Sequence, residues 1–381
     1  MDRRSFLLSL GTVALSQGLM GCRQNASSLQ VSLLARSLPP QLVSRFRSSV
    51  KSTADLQLSL VSSAEQLFLD LQKGSDPKTA VSARQPNLFE SISNSILGSS
   101  SKFYPLTSLG DYWLQAAIAQ DLIRPWATDQ ISGWNTLDPQ WQRIVRRDRQ
   151  GQLSAQGEIW GAPYRWGATV IAYRKDKFKD LGWTPTDWSD LWRPELKNKI
   201  SLLDQPREVI GLTLKKLNHS YNTQNLAAIP SLVSELKTLH QQAKFYSSSH
   251  YLQPLILEDT WAAVGWSTDI LPALNDETEI GFVIPQSGTA LWSDVWVWPK
   301  AGSSDTKLLR QWAEFWWQPD VAQALSQFTD AVSSVRQESL PPGATAQFLT
   351  SQSWFSKSEL LESMAESTTQ QYQSLWQQMR A

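Results

Sequence analysis

The sequence predicts an α/β protein of two domains, held by its hydrophobic core and not by disulfides. Three observations point there. Strand-like and helix-like patterns alternate from residue 29 onward, the pattern of parallel strands joined by crossover helices. The body that follows an N-terminal export signal has roughly 360 residues, enough for two domains of ordinary size. Cys22 is the only cysteine, so the chain forms no internal disulfide and no cysteine-based metal site.

The first segment, "MDRRSFLLSLGTVALSQGLMGC", is an address and not a fold element. Arg3 and Arg4 form a charged start, residues 5–20 an apolar run too short to span a bilayer, and Gly21 precedes Cys22. The paired arginines resemble a twin-arginine export signal, and Leu19-Met20-Gly21-Cys22 resembles a lipoprotein lipobox. We therefore expect a signal peptide over 1–21, lipidation at Cys22, a polar tether over 22–28, and an exported, periplasmic protein attached to a bacterial membrane through lipid alone. No later run of eighteen apolar residues suggests a span.

Order begins after the tether. "LQVSLLA" (29–35) suits a strand, "PPQLVSRFRSSV" (39–50) opens with prolines as a helix start allows, and "DLQLSLVS" (55–62) alternates as a second strand. Ser63 and Gln66 form a capping box, Leu67, Phe68 and Leu71 an apolar stripe, and Gly74 a stop. "LGDYWLQAAIAQDLIRP" (109–125) reads as an amphipathic helix closed by Pro125, and 128–158 as polar and irregular. Residues 160–178 are β-rich, 186–204 give a helix and a strand, and "QPREVIGLTLKKL" (205–217) a helix with Glu208 in its first turn. Residues 307–328 read as helical with a break at Pro319. No repeat of 20–50 residues suggests a solenoid or propeller.

Composition narrows the function classes. The 35 basic and 35 acidic residues cancel, which argues against a nucleic-acid binder. His219, His240 and His250 lack metal-ligand spacing, so no metal is expected. "GWSTD" (265–269) resembles a nucleophile elbow, but Asp269 stands where the tight turn needs glycine. No glycine-rich phosphate loop implies a nucleotide, and no cofactor is expected. A carboxylate pair among tryptophans leaves an exported carbohydrate-active enzyme open, as well as a noncatalytic scaffold.

The 19 tryptophans are the anomaly, and "TALWSDVWVWPK" (289–300) concentrates them. Trp292, Asp294, Trp296 and Trp298 share parity, hence one face of a strand. A buried carboxylate there needs a partner, either a basic residue of the protein or a cationic ligand.

Five ordered segments, "PYRWGATVIAYRKDKF", "DWSDLWRPELKNKISLLDQPREVIGLTLKKLNHSYNT", "VGWSTDI", "IPQSGTALWSDVWVWPK" and "WWQPDVAQALS", resemble the periplasmic spermidine/putrescine-binding proteins of polyamine ABC transporters. The similarity is good over about 160–330 and weak before 109 and after 345. It implies two α/β domains joined by crossover strands near Trp166 and Asp294, with the ligand in the cleft: residues 29–166 and 295–345 in one domain, 167–294 and 346–381 in the other. It also implies roles. Asp294 would pair with a ligand ammonium beside Trp292, Trp266 would complete an aromatic box, and Glu208 would hold the other end of the polyamine. Tyr112 and Trp113 would lie near a ligand-contacting tyrosine. The chain departs from the pattern at Leu34 and Ser37, where the family has cleft aromatics, and at Gln205, where it has an aspartate next to this chain's Asp204. The implied function is a monomeric substrate-binding lipoprotein without catalysis that captures putrescine or spermidine by cleft closure and delivers it to an ABC permease. A different small solute on the same fold is the alternative.

Overall fold

A computed structural model of the protein describes residues 28–50, 55–75, 104–127, 131–301, 306–336, 343–350 and 352–380. The expected signal peptide, Cys22 and the tether up to residue 27 lie outside the described residues.

Nine principal strands carry the architecture: β1 (Ser28–Leu34), β2 (Asp55–Val61), β3 (Leu106–Gly110), β4 (Ala162–Arg174), β5 (Ile200–Leu202), β6 (Ala243–Tyr246), β7 (Ala262–Trp266), β8 (Ile280–Val283) and β9 (Ala290–Pro299). They join in the order β2-β1-β3-β9-β4-β7-β5-β6, with β8 also on β4. β1 runs parallel to β2 from Ser28 opposite Asp55 to Leu34 opposite Val61, and β5 lies parallel to both β6 and β7. Between these outer groups, β3, β9, β4 and β7 are successively antiparallel. Parallel pairing occurs where strands alternate with helices, because only a crossover can return the chain in the same direction.

Two lobes result. In the first, β1 to β3 and the later half of β9 pack with helices Pro40–Ser49, Thr306–Trp316 and Pro319–Thr329. The helix over 306–316 buries Leu308, Leu309, Trp312, Ala313, Phe315 and Trp316 on one side, the spacing of an amphipathic helix. In the second lobe, helices Pro206–Lys216, Leu232–Gln242 and Glu366–Arg380 pack together, with Tyr221, Leu239 and Tyr372 in the core. β4 and β9 serve both lobes and are buried along nearly their whole length.

The early strand–helix–strand–helix reading holds, and the Ser63 hydroxyl accepts from the Gln66 amide at 3.2 Å as a cap. The helix break before Pro319 is also present. The helix expected over 109–125 is much shorter. Leu109 and Gly110 complete β3, a 3-10 turn spans Asp111–Trp113, and the α-helix covers only Leu114–Ala119. Leu109 and Gly110 fit the end of a buried strand as well as the start of a helix, and pairing with β9 decides between them. No helix among the described residues is long and apolar enough to cross a membrane.

Candidate functional site

The site is built on the antiparallel pair β4–β9, where the two lobes meet. Leu291 to Asp294 face Ala168 back to Arg165, but Val295 then faces Pro163. Tyr164 is thus the extra residue of a β-bulge on β4, a feature that re-aims side chains and sharpens local twist. Tyr164 stacks on Trp296 with ring centroids 4.3 Å apart, and its hydroxyl lies 3.0 Å from the Ser108 hydroxyl.

Directly opposed residues in an antiparallel pair share a face, so Arg165 and Asp294 meet. The Arg165 Nε donates to Asp294 Oδ2 at 2.7 Å, and a terminal guanidinium nitrogen lies 2.6 Å from the same oxygen. Both side chains are 7% exposed. Burial works against the guanidinium's charge and is the largest single effect, yet Asp294, Tyr164 and Asp269 together outweigh it and hold the Arg165 pKa above its ordinary value. Of the two partners open to Asp294, the structure supplies the basic residue of the protein.

Trp292 and Gly167 are the next opposed pair on this face. A methyl group at Gly167 would sit 2.4 Å from Trp292 Cζ2 and 2.7 Å from Ser267 Oγ, so only glycine lets the indole lie across β4. The guanidinium carbon of Arg165 is 5.8 Å from the Trp292 ring centroid, within cation–π range. The other two indoles do not surround Asp294. Trp296 is fully buried against Tyr164, Trp312 and Trp316, and Trp298 sits at the strand's far end near Trp126 and Arg124. The shared parity is real, but past the bulge the same face of β9 lies under the first lobe's helices.

The second lobe contributes a second group. Glu208, in the first turn of the helix over 206–216, is buried and accepts the Thr169 hydroxyl at 2.9 Å. Burial raises its carboxyl above the usual value, opposed by hydrogen bonds from Thr169 and the Trp266 side chain and by the charge of Arg207. Thr169 and Trp266 are opposed on β4 and β7, which explains why both reach Glu208. Arg207 is engaged elsewhere, donating to the Tyr372 hydroxyl, Asn222 Oδ1 and the Glu362 carbonyl.

On the other side of Trp266, Tyr251 links two groups. Its hydroxyl donates to Asp269 Oδ2 at 2.9 Å and accepts the Trp266 amide at 3.1 Å. Gly265 makes this possible, since a side-chain carbon there would sit 1.8 Å from Tyr251 Cε2. Asp269 reaches solvent, yet surrounding protein withdraws enough water to raise its carboxyl above the ordinary value, opposed by the Tyr251 hydrogen bond and then by the charges of Arg165 and Arg36.

Asp111 is buried beside the crossing, where Oδ1 accepts the Ser293 amide at 2.8 Å. Burial pushes its carboxyl up to about 7, opposed by that hydrogen bond and by Arg147, and reinforced by the charge of Asp294. Tyr112 is half-buried, and its hydroxyl is raised by burial and opposed by Arg207 of the other lobe. Trp113 stacks on Phe68 at 4.6 Å, a packing role within the first lobe. Gln205 is exposed at the helix N-cap, while Asp204 pairs with Arg380 at 2.6 Å. At the sequence departures, Leu34 is half-buried and Ser37 buried.

The structure therefore gathers Asp294, Trp292, Trp266, Glu208 and Tyr112 around the lobe junction, and leaves Trp113 and Gln205 in packing and surface positions. Sequence reasoning missed Arg165, Asp269, Tyr251 and Asp111 as members of the group. Arg165 and Asp269 stood inside the segments that carry the resemblance; Tyr251 gave no signal at all. Chemically, the site offers carboxylates held in reduced water and aromatic faces, a set suited to ammonium groups on a methylene chain. Among the described residues no three His, Cys, Asp or Glu side chains gather in a way that could hold a metal ion.

Known proteins resemble this chain over part of its sequence and in its fold. The spermidine/putrescine-binding periplasmic protein of Salmonella typhimurium is 26% identical over 224 residues, covering 59% of this chain and 61% of that relative's own length. The putrescine/cadaverine-binding protein of Pseudomonas aeruginosa is 31% identical over 174 residues, covering 42% of this chain and 48% of the relative. Among solved structures, the spermidine/putrescine ABC transporter substrate-binding protein PotD of Streptococcus pneumoniae superposes with a TM-score of 0.74 at 20% identity, covering 93% of this chain and 98% of that one. At that identity the superposition shows the fold alone, that of a two-domain periplasmic substrate-binding protein. The family described as bacterial extracellular solute-binding protein matches residues 106–356, and this chain belongs to it.

Proposed function

We propose that this protein captures a small polyamine between its two lobes and hands it to an ABC permease, without chemistry. The observation that carries the reading is the pair of carboxylates flanking Trp266, buried Glu208 and partly dehydrated Asp269. Their hydrogen-bond donors are hydroxyl and indole groups, so an arriving ammonium is the charge that matches them. Indole faces accept both ammonium groups and methylenes, at about 0.5–2 kcal/mol per cation–π contact. The names of similar proteins, spermidine/putrescine-binding and putrescine/cadaverine-binding, support the same ligand class.

In this reading residues 29–166 with 295–345 form one domain and 167–294 with 346–381 the other. Ligand contacts made to both favour the closed form, because they exist only there. The protein acts as a periplasmic monomer, and lipidation at Cys22 concentrates it at the membrane beside the permease. Equilibrium dialysis of the full chain against labelled putrescine, spermidine and a neutral disaccharide tests the assignment. Saturable retention of an amine and not the sugar is expected; retention of neither amine overturns it.

A further inference from the structure

The carboxylates near the lobe junction fall into two kinds. Asp294 is matched by the protein: two guanidinium nitrogens of Arg165 lie within 2.7 Å of Oδ2, and both side chains are buried. Glu208 and Asp269 take their hydrogen bonds from Thr169 and Tyr251; neither forms an ion pair among the described residues, and the charges of Arg207 at Glu208 and of Arg165 and Arg36 at Asp269 act on them without contact. Arg165 also faces the Trp292 ring, so the indole beside Asp294 already has its cation.

Resting on the amine reading above, we propose that Arg165 is a built-in counter-ion that sets how many cationic groups the ligand carries. It supplies the cation at Asp294, so the site takes a diamine held at Glu208 and Asp269 and disfavours a triamine. The physical reason is repulsion. A further ammonium brought toward Asp294 meets a guanidinium already seated on that carboxylate, in surroundings where burial leaves little water to screen like charges. Discrimination by a placed like charge acts against the longer ligand without adding any contact to the shorter one. The arrangement depends on the Tyr164 bulge, which sets Arg165 opposite Asp294 in register.

Calorimetric titration of the full chain with putrescine and with spermidine tests this. Wild type is expected to favour putrescine by about tenfold or more, a difference of about 1.4 kcal/mol. Arg165→Met is expected to raise spermidine affinity about tenfold, and adding Asp294→Asn to remove that gain, because the gain needs the freed carboxylate. Arg165→Gln, which can still hydrogen-bond Asp294, gives the same comparison if the methionine variant does not fold. Equal or tighter spermidine binding by wild type overturns the proposal while leaving the amine reading intact. So does a folded neutral variant with no spermidine gain, or a gain that persists without the Asp294 charge. Absence of binding of either amine by wild type overturns the amine reading and the proposal with it.

Discussion

Arg165 and Asp294 stand directly opposite each other on β4 and β9, with guanidinium nitrogens 2.6 and 2.7 Å from one carboxylate oxygen. The pair ties together the two strands that both lobes share. Removing one member strands the other charge in a buried place, so Arg165→Ala or Asp294→Ala is expected to cost about 3–5 kcal/mol. Replacing both, by Arg165→Met with Asp294→Leu, is expected to recover most of that loss. Urea unfolding at constant pH measures it, and single variants within about 1 kcal/mol of wild type would show that the pair carries little.

Gly167→Ala places a methyl group against the Trp292 indole and Ser267. Overpacking of this kind costs about 1–3 kcal/mol, and the indole must tilt away from β4. Amine affinity should fall with it. On a Trp292→Ala background the ring is gone and Gly167→Ala should cost less than it does beside the indole; an equal cost in both backgrounds would place the strain elsewhere.

Asp111 gives a pH signature. Its carboxyl titrates at about 7 in the folded protein against 3.8 as the ordinary value, so between those points the folded state holds a proton that the unfolded chain has lost. Stability from this group therefore falls as pH rises from about 4 to about 7. Asp111→Asn keeps an acceptor for the Ser293 amide and removes the titration. The variant should exceed wild type by up to about 4 kcal/mol above pH 7 and converge with it near pH 4, in chemical unfolding across that range. A difference independent of pH would rule out Asp111 as the source.

Tyr251→Phe removes the donor to Asp269 and the acceptor of the Trp266 amide. The Trp266 amide is then left without that partner, a change worth about 1–3 kcal/mol. The intrinsic tryptophan emission and the amine affinity should shift together, since the same hydroxyl positions both neighbours. Unchanged affinity with lowered stability would confine Tyr251 to folding.

Much of this fold was legible because local patterns and tertiary packing agree. Alternation in "LQVSLLA" and "DLQLSLVS" and the Ser63 cap predict elements that neighbouring strands and helices then use. The helical pattern of 109–125 extends further than the helix the structure forms, because β3 is short and its partner strand lies far along the chain. Glu208 and Trp266 were visible through a first-turn carboxylate and the resemblance. The Arg165 contact was not, because it spans 129 residues and depends on a one-residue bulge that no spacing rule reveals. In the sequence Asp269 stands out only as the residue where a tight turn needs glycine, although its place in the first helical turn after β7 sets it beside Trp266.

The most direct test of amine capture is the affinity of the full chain for putrescine in wild type and Glu208→Gln, measured by calorimetry at neutral pH and again at acid pH. The account predicts saturable binding that weakens by about 2–5 kcal/mol in the variant, the usual loss for a dehydrated charge partner. It also predicts weaker wild-type binding in acid, because burial raises the Glu208 carboxyl and protonation removes the charge that meets the ammonium. Putrescine affinity unchanged by Glu208→Gln and by pH would contradict it.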